Sequence, residues 1–178
     1  MNEELFLGIK QYKNCLTKKE IDKLKNQIDN IPFINETVAH PSYQKKLYYE
    51  KNNLINYNYI DTKIIESFKK SCIKFLNYQP KKINIMSWVH ITWKNSKKNP
   101  NIGHTHNETN PFALSGIFYL KLPKKSETTS FQIENNLLKL PAIENSWFIF
   151  YSDMWHIPGL CKSNEKRYCI SADFWFEE

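Results

Sequence analysis

The change of pattern at Pro80 constrains this chain more than any other feature of its sequence. Before it, apolar residues recur with the period of a helix. Thr17-Lys18-Lys19-Glu20 has the form of a capping box, in which two side chains satisfy each other's backbone N–H groups. Ile21, Leu24 and Ile28 then share one helical face until Pro32. Asp61 is placed to cap a second helix with an apolar face of Ile64, Ile65, Phe68, Cys72, Ile73 and Leu76, stopped by Asn77 and Pro80. After Pro80, Ile83 to Trp93 has the β-branched and aromatic content of a strand. Further strands are expected at Ala113 to Leu122, Ser130 to Glu134, Ser146 to Tyr151 and Arg167 to Phe176, with a short one at Leu5 to Lys10. The Tyr- and Asn-rich stretch from Asn35 to Asn58 reads as loops or irregular strands over the mouth of a site, and Lys94 to Asn101 as a polar loop. Helices followed by many strands give a mainly β chain with N-terminal helices, an antiparallel barrel or sandwich with those helices on one face.

Length and composition narrow the class. A chain of 178 residues is expected to form one domain over 1–178, with 1–80 as helical support and 81–178 as the β core, burying about two thirds of its unfolded surface. Aromatic content of 15% with only 4 Gly argues for a packed interior rather than a disordered chain. No apolar run reaches the roughly 18 residues of a membrane span, and acidic side chains in Met1 to Leu5 do not suit a signal peptide, so a cytoplasmic protein without membrane attachment is expected. Cys15, Cys72, Cys161 and Cys169 form no Cys-x-x-Cys pair, which excludes a zinc knuckle or disulfide scaffold and leaves reduced thiols. The net charge of +7 is spread over short lysine doublets, the pattern of a solvated surface rather than of a nucleic-acid footprint.

Chemistry concentrates between Gly103 and Gly159. In an extended segment alternate side chains project from one face, so His104, His106 and Glu108 would point together. Imidazole nitrogens with a carboxylate on one side of a metal, leaving positions open, suit ferrous iron that must take both a substrate and dioxygen. His156, from a distant strand, is the obvious further ligand. Of the 25 Lys plus Arg residues only Arg167 is arginine, and a guanidinium grips a carboxylate with two parallel hydrogen bonds, as an ammonium cannot. Trp88, Trp93, Phe118, Tyr119, Phe148 and Trp155 are expected to fill the barrel.

Five stretches, in order, carry a resemblance. They are Trp88-Val89-His90, His104-Thr105-His106-Asn107, Leu114-Ser115-Gly116-Ile117-Phe118-Tyr119-Leu120, the aromatic run Phe148 to His156, and Arg167-Tyr168-Cys169-Ile170-Ser171-Ala172-Asp173-Phe174. From Ile83 to Phe176 the chain resembles the iron(II)- and 2-oxoglutarate-dependent oxygenases, most closely their small bacterial and phage members with a His-x-His motif. The resemblance implies a double-stranded β-helix, a cupin-like jelly roll, in which His104, His106 and His156 face the metal and Arg167 holds the distal carboxylate of 2-oxoglutarate. It places Cys169, His90 and Tyr119 on the cosubstrate side. His90 stands where Asn is usual and Cys169 replaces the first Ser after the arginine, which bears on one hydrogen bond to the cosubstrate. The stretch between His106 and Ser115 is longer than typical.

Two ligand sets remain open. One is His104, His106 and His156, preferred on the match; the other is His106, Glu108 and His156, which restores a His-x-acid pattern. The cofactors implied are Fe(II), 2-oxoglutarate and O2, and the implied reaction is hydroxylation of an unactivated C–H bond in a small-molecule or peptide substrate, with anionic groups suited to the basic surface and a homodimer compatible with the fold. Asp153, Tyr151, Ser152 and Asp173 are candidates to orient the imidazoles. The rival readings are a cupin-like metal-dependent dioxygenase or isomerase without 2-oxoglutarate, and a basic non-catalytic module that holds an anionic polymer.

Overall fold

The structure, a computed structural model, describes residues 2–6, 8–31, 44–51, 54–94, 103–106, 113–141 and 143–177. The chain opens with strands β1 (Asn2–Phe6) and β2 (Ile9–Lys13), followed by helix α1 (Lys18–Asn30), strands β3 (Gln44–Lys51) and β4 (Leu54–Asn58), and helix α2 (Lys63–Leu76). The strands β5 (Lys82–Thr92), β6 (Ala113–Lys121), β7 (Ser130–Ile133), β8 (Asn136–Lys139), β9 (Ser146–Tyr151), β10 (His156–Ile157) and β11 (Arg167–Glu177) complete it. Both helices end as their sequences dictate. At α1 the capping box forms: Glu20 N–H donates to Thr17 Oγ1 at 3.3 Å and Thr17 N–H to Glu20 Oε2 at 2.8 Å. At α2 the Asp61 carboxylate accepts from Lys63 N–H at 3.0 Å, and Asn77 closes the helix in the left-handed region at φ 62°, donating to Ile73 O at 2.9 Å.

The strands form an eight-stranded antiparallel sheet in the order β1-β2-β9-β6-β11-β5-β3-β4 and a three-stranded one in the order β10-β7-β8. Strand period two divides the large sheet into two faces. On its outer face Val89, Phe118, Trp147 and Phe174 pack against Leu24, Ile28, Phe68 and Phe75 of the helices. Trp147 is pinned there: its indole N–H donates to Ser67 Oγ at 2.9 Å and its ring lies 4.7 Å from that of Phe68. Fully burying a side chain of this size contributes roughly 1.5–3 kcal/mol, so this one row anchors α2. On the inner face the small sheet closes over β2, β9 and β6, where Phe131 meets Phe150 edge-on at 4.7 Å among Ile9, Ile117, Tyr119 and Phe148. This is the mainly β jelly roll, with helices on one face, that the sequence implies.

Three local expectations differ from what forms. The single strand expected at Leu5 to Lys10 is replaced by the ends of two, β1 and β2, which pair antiparallel on either side of Gly8 at φ 83°, whereas the irregular strands expected in the Tyr- and Asn-rich stretch do form as β3 and β4, with a register shift in their pairing and Tyr49 stacked on Tyr57 at 5.9 Å. Strand β8 was not foreseen, since Asn136-Leu137-Leu138-Lys139 has no alternation to signal it. Of the six aromatic residues expected in the barrel, Tyr119 and Phe148 are there; Phe118 and Trp93 lie on the helix side, Trp88 packs against a histidine, and Trp155 packs on Gly103. All four cysteines are unbridged, and no helix among the described residues is long and apolar enough to cross a membrane.

Candidate metal centre

The register of β11 lays out the inner face. Cross-strand partners in an antiparallel sheet share a face. Asp173 stands opposite Met86 and Ser115, Ser171 opposite Trp88 and Ile117, Cys169 opposite His90 and Tyr119, and Arg167 opposite Thr92. One strip of β11 therefore runs from Asp173 at one end to Arg167 at the other.

Three histidines meet beside the Asp173 end. His104, His106 and His156 each offer a ring nitrogen, and these atoms lie within 4.8 Å of one another. Their ring centroids are 4.5–5.1 Å apart, with His104 and His106 nearly parallel at 13° and His156 tilted 54° from both. The backbone sets the positions. His104 and His156 exchange a pair of N–H···O bonds, each 3.0 Å, and His106 N–H donates to Ser152 O at 2.8 Å. Trp155 packs on Gly103, where a Cβ would overlap the indole ring, so any larger residue just ahead of His104 would displace that ring.

The ring orientations are fixed from behind. His156 Nδ1 lies 3.0 Å from Met154 O, and His106 Nδ1 lies 2.7 Å from Asp173 Oδ1. A carbonyl or carboxylate oxygen can only accept, so in each ring Nδ1 carries a proton and Nε2 is the nitrogen left available to a metal. His156 is 3% exposed, with Phe131 and Phe150 against its ring, and burial followed by the proximity of His106 and His104 pushes its pKa down to about 3. A neutral imidazole with a free Nε2 is the form that binds a metal. Trp88 covers His106 at 5.7 Å and donates its indole N–H to His90 Nε2 at 2.8 Å.

At the other end Arg167 is buried, 4% exposed, with its Nη1 donating to Glu127 O at 2.9 Å and Gly159 O at 2.7 Å. Its buried Nε has no hydrogen-bond partner among the described residues, nor has the buried Oγ1 of Thr92 on the neighbouring strand. Cys169 lies between the two ends, and burial pushes its thiol up to about 11 against the opposing pull of Arg167. The Tyr119 hydroxyl is taken by Thr129, accepting from its N–H at 2.7 Å and lying 3.0 Å from its Oγ1; burial raises the phenol above its ordinary range.

His104, His106 and the chain-distant His156 thus come together, and Arg167, Cys169, His90 and Tyr119 lie on strands of the same inner face. Glu108, the rival ligand, lies outside the described residues, as does His40. Among the four candidates for orienting the imidazoles, Asp173 makes the contact, Ser152 acts through its carbonyl, and Asp153 and Tyr151 are exposed. Ser115 was missed as a site residue; its Oγ donates to Asp173 Oδ1 at 2.7 Å and lies 2.9 Å from Ser152 Oγ.

No family model and no curated relative matches the sequence. Solved structures do. A 2OG-Fe(II) oxygenase family oxidoreductase from Burkholderia pseudomallei superimposes with a TM-score of 0.71 at 10% identity, over 95% of this chain and 84% of that one. EvdO2 from Micromonospora carbonacea var. aurantiaca, solved with 2-oxoglutarate, gives 0.67 at 10% identity over 96% and 86%. The non-heme alpha ketoglutarate dependent epimerase SnoN from nogalamycin biosynthesis gives 0.63 at 11% identity over 95% and 78%. At such identities the likeness establishes architecture: the chain has the jelly-roll fold of the 2OG-Fe(II) oxygenases.

Proposed function

We propose that this protein is an iron(II)- and 2-oxoglutarate-dependent oxygenase acting on an unactivated C–H bond. The observation that carries the reading is the pairing of two features along β11: a cluster of three imidazoles with donor atoms within 4.8 Å, beside Asp173, and at Arg167 a buried guanidinium whose Nε has no hydrogen-bond partner among the described residues. The donor set suits a divalent first-row metal with positions left open. Arg167 Nε and Thr92 Oγ1 are buried donors in register on adjacent strands, and leaving them unsatisfied costs about 1–3 kcal/mol each, which a carboxylate would recover.

In this mechanism His104, His106 and His156 hold the iron, and Arg167 with Thr92 takes the far carboxylate of 2-oxoglutarate. Iron and 2-oxoglutarate together supply activation of dioxygen for hydrogen removal from carbon. Arg167 is anchored by the Glu127 and Gly159 carbonyls, which accept from Nη1 and leave Nε for the carboxylate. Phe131 and Phe150 keep water from the His156 ring, and Trp88 shields one face of His106. The substrate is a small molecule or peptide, with anionic groups favoured by the net charge of +7. Hydroxylation is the outcome we assign; epimerisation, the activity printed for SnoN, is the nearest variation on it.

The test is stoichiometric. Protein loaded anaerobically with Fe(II) and given 2-oxoglutarate in air should release succinate and carbon dioxide, and His156→Ala should abolish both. Bound iron with no succinate formed refutes the cosubstrate. A second reading, a cupin-like metal-dependent dioxygenase or isomerase without 2-oxoglutarate, is favoured by the cluster being all imidazole among the described residues. It predicts oxygen uptake or isomerisation with no carbon dioxide from 2-oxoglutarate.

A further inference from the structure

The geometry points to Asp173 as a positioning residue that gives the three-histidine cluster the negative charge its ligand atoms lack. This inference rests on the cluster being a metal site.

Three neutral imidazoles leave a divalent ion with its full charge, whereas a carboxylate ligand would offset one unit of it. Such an offset is present one bond further out. Asp173 Oδ1 lies 2.7 Å from His106 Nδ1 and is itself held by Ser115 Oγ at 2.7 Å. The hydroxyl of Ser115 has one proton, given to Asp173, so the 2.9 Å contact between Ser115 and Ser152 must be a donation from Ser152. The backbone N–H of His106 returns to Ser152 O at 2.8 Å and closes the circuit. Four chain segments converge so that the carboxylate can face one imidazole and nothing else among the described residues bearing charge. His156 differs, because its Nδ1 meets the neutral carbonyl of Met154.

Burying a carboxylate is costly unless something offsets its charge, and Asp173 is only 4% exposed. A merely structural brace needs no charge. An amide at this position would keep both hydrogen bonds, accepting from Ser115 and His106 through its oxygen. The charge gains its purpose when a cation sits on the far side of His106, where it strengthens the imidazole as a donor and partly neutralises the ion.

The experiment separates charge from shape. Metal-stripped wild-type protein, Asp173→Asn and Ser115→Ala are titrated with Co(II), following the visible ligand-field bands, and each apo form is melted. Asp173→Asn should bind Co(II) roughly 10–100-fold more weakly with shifted bands, while its apo form is at least as stable as wild type. Ser115→Ala, which keeps the charge but frees the carboxylate, should show a smaller loss. Equal Co(II) affinity in wild type and Asp173→Asn overturns the inference while leaving the metal site intact. If Asp173→Asn fails to fold, Asp173→Ser, which also removes the charge, takes its place, and wild-type Co(II) affinity in it overturns the inference. Absence of Co(II) binding to the wild type sinks the metal site itself, and this inference with it.

Discussion

Replacing Gly159 by alanine should damage the arginine end of the site without touching any side chain in it. A Cβ at Gly159 would fall on Thr128 O and within 2.5 Å of both Glu127 C and Glu127 O, all backbone atoms with no flexible end to swing away. Ordinary contact begins near 3.4 Å, so the two segments must separate by close to 1 Å. Gly159 O and Glu127 O are the two acceptors of Arg167 Nη1, at 2.7 and 2.9 Å, and Glu127 N–H also donates to Leu160 O at 2.8 Å. Overpacking costs about 1–3 kcal/mol, and loss of one hydrogen bond to a charged group about 1.5–3 kcal/mol. A loss near 3 kcal/mol follows, which at a urea slope of about 2 kcal/mol/M moves the midpoint down by about 1.5 M. With Arg167 no longer aimed, 2-oxoglutarate should bind the Co(II)-loaded protein about tenfold more weakly, while Co(II) affinity stays within a few-fold of wild type. A urea midpoint within 0.2 M of wild type together with unchanged 2-oxoglutarate affinity would refute the reasoning, because the backbone would then have absorbed the methyl without moving the carbonyls.

Two further outcomes follow from burial. In the apo protein the pKa of His156, lowered from 6.5 to about 3, means the unfolded chain takes a proton that the folded chain refuses; stability is therefore full above about pH 6.5 and falls by about 1.4 kcal/mol per unit as pH drops toward 3. Acid denaturation of wild type and His156→Gln should show the shallower slope in the variant, and equal slopes would remove His156 as the cause. The thiol of Cys72, raised by burial, should resist iodoacetamide at pH 8 in the folded protein and react only in denaturant, as peptide mass mapping would reveal; alkylation of Cys72 in the native state would contradict its assigned environment.

Local signals in the sequence were read well where they are local in the fold. The α1 capping box needs only residues three apart, and the strands β5, β6, β9 and β11 announce themselves by β-branched and aromatic runs. Residues of the candidate site with distinctive chemistry, the histidines and the lone arginine, were also visible. Their supports were not, because carbonyl acceptors such as those of Met154, Glu127 and Gly159 carry no residue-type signature. Asp173 was one candidate among four, since a contact spanning 67 positions is decided by cross-strand register. A usable hint existed. Counting by twos from Arg167 along β11 reaches Cys169, Ser171 and Asp173, which places a carboxylate on the arginine's own face. The β3–β4 stretch was legible only as loops or irregular strands because Tyr and Asn serve strands and turns alike.

The reciprocal backbone pairing of His104 with His156 carries a consequence for assembly. Two of the three imidazoles are spaced by peptide geometry before any ion arrives, so little ordering entropy is left for the ion to overcome. Such a centre should be preorganised in the empty protein and should load and unload without refolding, quite unlike small domains that collapse only around their metal.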